Sequence, residues 1–208
     1  MASHDQPSST PPGRLRIGID FDGTLADTIN AAAAFLRDVE GITLEPHEMR
    51  WPPGRERISG ERFVEMITDQ RFFDRLEFVP GAETVTRRLL QDASVFLVTA
   101  RNEAQTAPVR RWLESRDLHL DGIVSTSYES KVEACRELRL DLHLDDMLGH
   151  TAGVMRETDT ILGLLAAPWN DLVPSGDEVV DGDHRIHADW HAFHDWTRRA
   201  FAGRLGAS

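Results

Sequence analysis

The chain has 208 residues, 40% of them apolar, enough for one core with a small accessory subdomain but hardly for two independent domains. Its 35 acidic and 23 basic side chains leave a formal charge of -12, which disfavours stable binding to a nucleic-acid polymer. Cys135 is the one cysteine, so an internal disulfide and a thiolate metal cluster are both excluded.

Residues 1 to 13 are rich in Ser, Thr and Pro and read as a disordered tail with no apolar core for a signal peptide. No later run approaches the roughly 18 apolar residues of a membrane span, so a cytoplasmic protein with no membrane contact is expected. Leu15 to Asp20 is short, apolar and followed by a polar turn, as a buried strand running into a loop would be. Residues 27 to 39 are alanine-rich with helical periodicity, and Asp27 or Thr28 can cap the first turn. The composition then changes: Pro46, Trp51, Pro52, Pro53 and Gly54 break up the segment 41–78 ahead of an apolar-periodic piece at 62–68, as in an inserted cap.

From there strands and helices alternate. Helices are expected at Ala82–Gln91, Ala107–Ser115, Ser130–Leu138 and Gly149–Arg156, and strands at Ser94–Thr99, Gly122–Ser125, Leu140–Leu144 and Thr160–Ala166. After a loop at 168–183, Arg185–Ala188 reads as a small edge strand and Asp189–Phe201 as a final helix. The alternation predicts an α/β fold, a Rossmann-like parallel sheet with helices on both faces, joined by right-handed crossovers. The core would comprise 14–40 and 79–208, with the cap at 41–78.

In such sheets ligands bind beyond the carboxyl ends of the strands. The first strand ends in Asp20-Phe21-Asp22-Gly23-Thr24, the second in Thr99-Ala100-Arg101, Lys131 opens a helix after the third, and Asp145-Asp146 closes the fourth. Two carboxylates one residue apart can face one site and divide two tasks, nucleophile and proton carrier. Clustered carboxylates select a hard cation such as Mg²⁺.

IDFDGTLADT, VTAR, a lone lysine and LDD, in that order, resemble the four motifs of the haloacid dehalogenase superfamily over roughly residues 15 to 170. The resemblance implies a phosphoric monoester hydrolase, with Asp20 attacking phosphorus to form an aspartyl-phosphate and Asp22 acting as acid and base. Thr99 would donate to a phosphate oxygen and Lys131 would offset negative charge. Asp20, the Asp22 carbonyl, Asp145 and Asp146 would serve as Mg²⁺ ligands, with the sequence leaving open whether Asp145 or Asp146 binds directly. Gly23 and Thr24 would support the phosphate loop, and Arg101 could bind a phosphate or sugar oxygen. The retained Asp22 argues against the dehalogenase branch, where that position is replaced.

The stretches RFFDRLEFVPGAETV and LLAAPWN are similar to the 5'(3')-deoxyribonucleotidase branch, which implies a nucleoside monophosphate substrate with Phe72 and Phe73 at the base. Those two rings could equally pin the cap to the core. Where the best-known nucleotidases have a serine after the threonine, this chain has Ala100-Arg101. A sugar phosphate or specialised-metabolite ester is the alternative, and a catalytically silent binding module is a third reading. In each case the partner is a small phosphorylated metabolite, with a homodimer left open. His184, His187, His191 and His194 recur at helical spacing, but exposed terminal-helix histidines explain them better than a metal site does.

Overall fold

The computed structural model describes residues 13–45, 48–50, 52–149, 151, 153–170 and 184–205. Residues 1–12 of the expected tail, Pro46, Trp51 and the 171–183 part of the expected loop lie outside the described residues. Six strands, β1 (Leu15–Ile19), β2 (Ala93–Thr99), β3 (Gly122–Ser125), β4 (Leu142–Asp145), β5 (Ile161–Leu165) and β6 (His184–His187), form one parallel sheet. Its order is β3-β2-β1-β4-β5-β6. The helices between them are α1 (Thr28–Phe35), α4 (Ala82–Asp92), α5 (Glu103–Glu114), α6 (Val132–Glu137), α7 (Val154–Glu157) and α8 (Trp190–Ala200). Every residue of β2 and β4 is buried, as expected of central parallel strands covered on both faces.

The sequence order reverses at β1, which pairs with β2 on one side and β4 on the other. A crevice therefore opens at the carboxyl end of β1, where open α/β sheets bind ligands. The β1–β4 register sets Ile19 against Leu144, and the Asp20 N–H extends the ladder to the Leu144 carbonyl at 2.9 Å. The carboxyl end of β1 thus meets that of β4.

Several expected boundaries shift for local reasons. The helix expected over 27–39 is α-helical only to Phe35 and then widens into a π-helical turn, Leu36–Glu40, closed by Gly41 at φ 71°. The strand expected at 140–144 starts at Leu142, because the Leu140 N–H caps α6 by bonding the Cys135 carbonyl and Arg139 turns left-handed at φ 49°. The helix expected from Ala107 begins at Glu103, where Asn102 and Gln105 form a reciprocal capping box. The helix expected over 149–156 shrinks to α7.

Between α1 and α4 lie α2 (Gly60–Met66) and α3 (Gln70–Phe73), each capped by the side chain of the preceding residue, Ser59 or Asp69. Met66, Ile67, Phe72 and Phe73 belong to the same hydrophobic cluster as β1, β2 and α1. At the other end of the chain, Trp190 of α8 is fully buried and donates to the Thr24 carbonyl at 2.9 Å, bracing the loop after β1. Among the described residues no helix is long and apolar enough to cross a membrane.

Candidate active site

The loop after β1 is a tight turn in which the Ala26 N–H bonds the Phe21 carbonyl at 2.8 Å and the Gly23 N–H bonds the Ala26 carbonyl at 2.9 Å. Phe21 is fully buried, edge-on to Trp112 with ring centroids 5.4 Å apart. Anchored in the core between them, it leaves Asp20 and Asp22 to line one cavity of about 290 Å³. Gly23 sits at φ 76°, and a Cβ there would come within 2.3 Å of Asp146 Oδ2. Both facts require glycine at that position.

Asp20, Asp145 and Asp146 are buried, with one carboxylate oxygen from each lying within 4.8 Å of the others. Lys131, 2% exposed at the N-cap of α6, bridges two of them: its Nζ donates to Asp20 Oδ1 at 2.6 Å and to Asp145 Oδ2 at 2.7 Å. Burial pushes the Asp20 carboxyl up to about 7, helped by the Asp145 and Asp22 charges and opposed by Lys131. Asp146 is driven well above its ordinary range by burial and by the charges of Asp145 and Asp20. At Asp145 burial acts upward too, but the Lys131 ammonium and the His143 hydrogen bond outweigh it and hold that carboxyl low. Lys131 loses by desolvation and gains more from Asp145 and Asp20, so its ammonium is retained.

Asp22 is gripped from two sides. Arg101 donates to both its oxygens at 2.8 Å, and the Thr28 hydroxyl donates to Oδ1 at 2.8 Å. The third arm of Arg101, Nη1, donates to the Ile67 carbonyl at 2.8 Å. Four carboxylates therefore converge with two cations, both already paired. With all four ionised, the excess of two negative charges would suit a hard dication with oxygen ligands, and Asp20, Asp145 and Asp146 are the residues placed to hold it.

The structure thus brings Asp20, Asp22, Lys131, Arg101, Asp145 and Asp146 to one cavity. Thr99 ends β2 nearby and is 1% exposed, its hydroxyl accepting the Arg101 N–H at 3.2 Å. Thr24 is fully buried and contributes its carbonyl to Trp190, so it supports the loop from beneath. Phe72 and Phe73 lie in the core, 0% and 4% exposed, and are not among the residues lining the cavity, which is the arrangement of rings that pin the segment to the core. Arg101 lines the cavity while three of its five N–H groups, one on each nitrogen, donate to protein acceptors.

The walls come from residues that the motifs did not single out: Pro52, Phe63, Val64 and Ile67 from the stretch between α1 and α4, and Tyr128 and Met147. Ser127 and Tyr128 are both left-handed, φ 51° and 69°, which sets Tyr128 half out of the surface with its hydroxyl on Gln105 Oε1 at 2.7 Å. Strained backbone of this kind clusters at functional sites. Trp169 and Asn170 hold Asp146: the indole N–H donates to Oδ2 at 2.6 Å and the amide to the Asp146 carbonyl at 2.9 Å. The sequence signal for that pair was the PWN string after β5, which periodicity alone leaves mute. The histidines hold no metal cluster among the described residues; His187 is buried against Phe193 and Trp196.

No family model matches the chain. It is 23% identical over 164 residues, 76% of its own length and 83% of the relative's, to the Bacillus subtilis protein named "Putative nucleotidase YqfW". Among solved structures, a haloacid dehalogenase family hydrolase from Deinococcus radiodurans, with bound phosphate and sodium, superposes at a TM-score of 0.59. That match covers 94% of this chain and 99% of the other at 14% identity. The haloacid dehalogenase-type protein YfnB of Bacillus subtilis, bound to magnesium, gives 0.56, covering 88% and 97% at 13% identity. The fold is that of the haloacid dehalogenase-like hydrolases.

Proposed function

We propose that this chain, built on the haloacid dehalogenase-like fold, is a Mg²⁺-dependent phosphomonoesterase that works through an aspartyl-phosphate on Asp20. The observation that carries this reading is the pair Asp20 and Asp22 facing one cavity beside three clustered carboxylates and a single lysine. A carboxylate oxygen of Asp20 attacks phosphorus while Asp22 gives its proton to the departing oxygen. Water then attacks the phosphorus of the acyl phosphate, Asp22 takes the water's proton, and the Asp20 carboxylate is released. Lys131 favours the ionised form of Asp20 and holds it in place, and the Thr99 hydroxyl offers its proton to a phosphoryl oxygen. Asp20, Asp145, Asp146 and the Asp22 carbonyl would hold Mg²⁺, which would supply the positive charge that lets a phosphate dianion approach a carboxylate. The magnesium and phosphate bound in the two solved structures belong to those proteins and agree with this assignment.

The substrate is a nucleoside monophosphate in this reading. Support comes from the cavity walls, where Phe63, Tyr128, Met147, Val64, Ile67 and Pro52 offer apolar and aromatic surface to an uncharged leaving group. Arg101 and Lys131, the two cations among the residues lining the cavity, are both paired with carboxylates, which agrees with an uncharged leaving group. The name of the Bacillus relative, a nucleotidase, points the same way. The segment 41–78, which supplies four of these six wall residues, is in this reading the cap that selects substrates.

The test is release of inorganic phosphate from a panel of nucleoside monophosphates, sugar phosphates and a phosphorylated carboxylic acid, with and without Mg²⁺. Metal-dependent turnover fastest on nucleotides and lost in Asp20→Asn is expected. Faster turnover of a sugar phosphate would move the substrate to that class, and silence on the whole panel, with an aryl phosphate included, would make the chain a binding module.

A further inference from the structure

We propose that Arg101 is a strut tying the position of α2 in the inserted segment to that of the Asp22 carboxylate, a positioning role that rests on the reading of Asp22 as proton carrier. The guanidinium uses its three nitrogens at once. Nε and Nη2 hold the two oxygens of Asp22 at 2.8 Å each, and Nη1 holds the Ile67 carbonyl at 2.8 Å. Ile67 caps the carboxyl end of α2, and such terminal carbonyls lack an intrahelical partner. The group is 2% exposed and lies over the rings of Phe21 and Phe73, 5.3 and 5.6 Å from their centroids. Packed this way, a rigid planar fork transmits displacement rather than absorbing it.

The same helix carries Phe63 and Val64, two residues of the cavity wall. A substrate that settles against them therefore also fixes the strut, and through it the carboxylate that must meet the leaving oxygen. From the opposite side Thr28, at the start of α1, holds Asp22 Oδ1 at 2.8 Å. Asp22 is suspended between the core and the inserted segment. Alignment of the proton carrier then depends on α2 being docked.

Proton delivery matters little for a weakly basic leaving group such as a nitrophenoxide and greatly for an alkoxide such as the 5'-oxygen of a nucleoside. Loosening the strut should therefore penalise the two unequally, whereas a residue that merely supports the fold would penalise them alike. The ratio of kcat/KM for the two substrates, taken on one preparation, does not depend on how much of it is folded. In Arg101→Gln the nucleotide should lose about 10²-fold more than nitrophenyl phosphate. Arg101→Lys, which keeps the charge but not the fork, should behave the same way. Equal losses on both substrates overturn the proposal.

A second reading needs no turnover. Hydrogen exchange of the amides in residues 60–74 should quicken in Arg101→Gln, Arg101→Lys and Asp22→Ala alike, because the first two remove the fork itself and the third frees its Asp22 end. Unchanged protection in these variants also overturns it. Wild-type protein inert towards every phosphate ester would instead sink the phosphatase reading, and the exchange measurement would still decide whether α2 and Asp22 are linked.

Discussion

Replacing Lys131 with methionine removes the cation that bridges Asp20 and Asp145. Its Nζ makes two charged hydrogen bonds, 2.6 and 2.7 Å, at 2% exposure. Such bonds contribute about 1.5–3 kcal/mol each, and removing one partner of a buried ion pair costs about 3–5 kcal/mol. A loss of about 3–5 kcal/mol of folding stability is therefore expected at pH 7 without divalent metal. Lys131 holds the Asp20 carboxyl down against burial, and Asp20 already stands at about 7, so losing the lysine lifts it further. A carboxyl raised on folding contributes stability at low pH that is lost as pH rises through its folded value. The deficit of the variant should accordingly shrink at pH 5. It should shrink as well under saturating Mg²⁺, which restores the missing charge. Urea denaturation of both proteins at pH 7 and pH 5, with and without Mg²⁺, measures all of this. A loss under about 1 kcal/mol, or one indifferent to both pH and metal, would refute the electrostatic account of the cluster.

Gly23→Ala should weaken Mg²⁺ binding by about 10–100-fold in calorimetry, since the new methyl would displace Asp146 Oδ2, 2.3 Å from its position. Phe72→Ala should cost about 3–5 kcal/mol of stability while leaving KM on the folded enzyme near that of wild type, because the ring is fully buried outside the cavity. Burial lowers His187 from 6.5 to about 4, so its neutral form stabilises the protein above pH 6.5 and that stability is lost as pH falls towards 4. Wild type should lose about 3 kcal/mol more than His187→Gln across that interval in denaturation titrations.

The fold was legible because each buried strand is a short apolar run ending in polar residues, and the order of those ends located the crevice. Lys131 illustrates the advantage of motif order over local signal: as a lone lysine it reads as surface, yet it is enclosed among carboxylates. What stayed hidden depends on contacts across the chain. Phe72 and Phe73 lie in an aromatic-rich insertion, but which rings face a cavity depends on how α2 and α3 lie on the core, and the face presented is that of Phe63. Arg101 follows Thr99 as a phosphate ligand might, while its partners, Asp22 and Ile67, are distant in sequence. Boundaries moved where capping chemistry decided them, as at Asn102 and Arg139.

The central claim is that Asp20 becomes covalently phosphorylated. Acid-quenched single turnover with a radiolabelled nucleoside monophosphate and Mg²⁺, followed by peptide mapping, should place label on the peptide containing Asp20 and none on it in Asp20→Asn. Full phosphate release in the quenched wild type with no labelled protein at any time, or undiminished turnover by Asp20→Asn, would contradict the account.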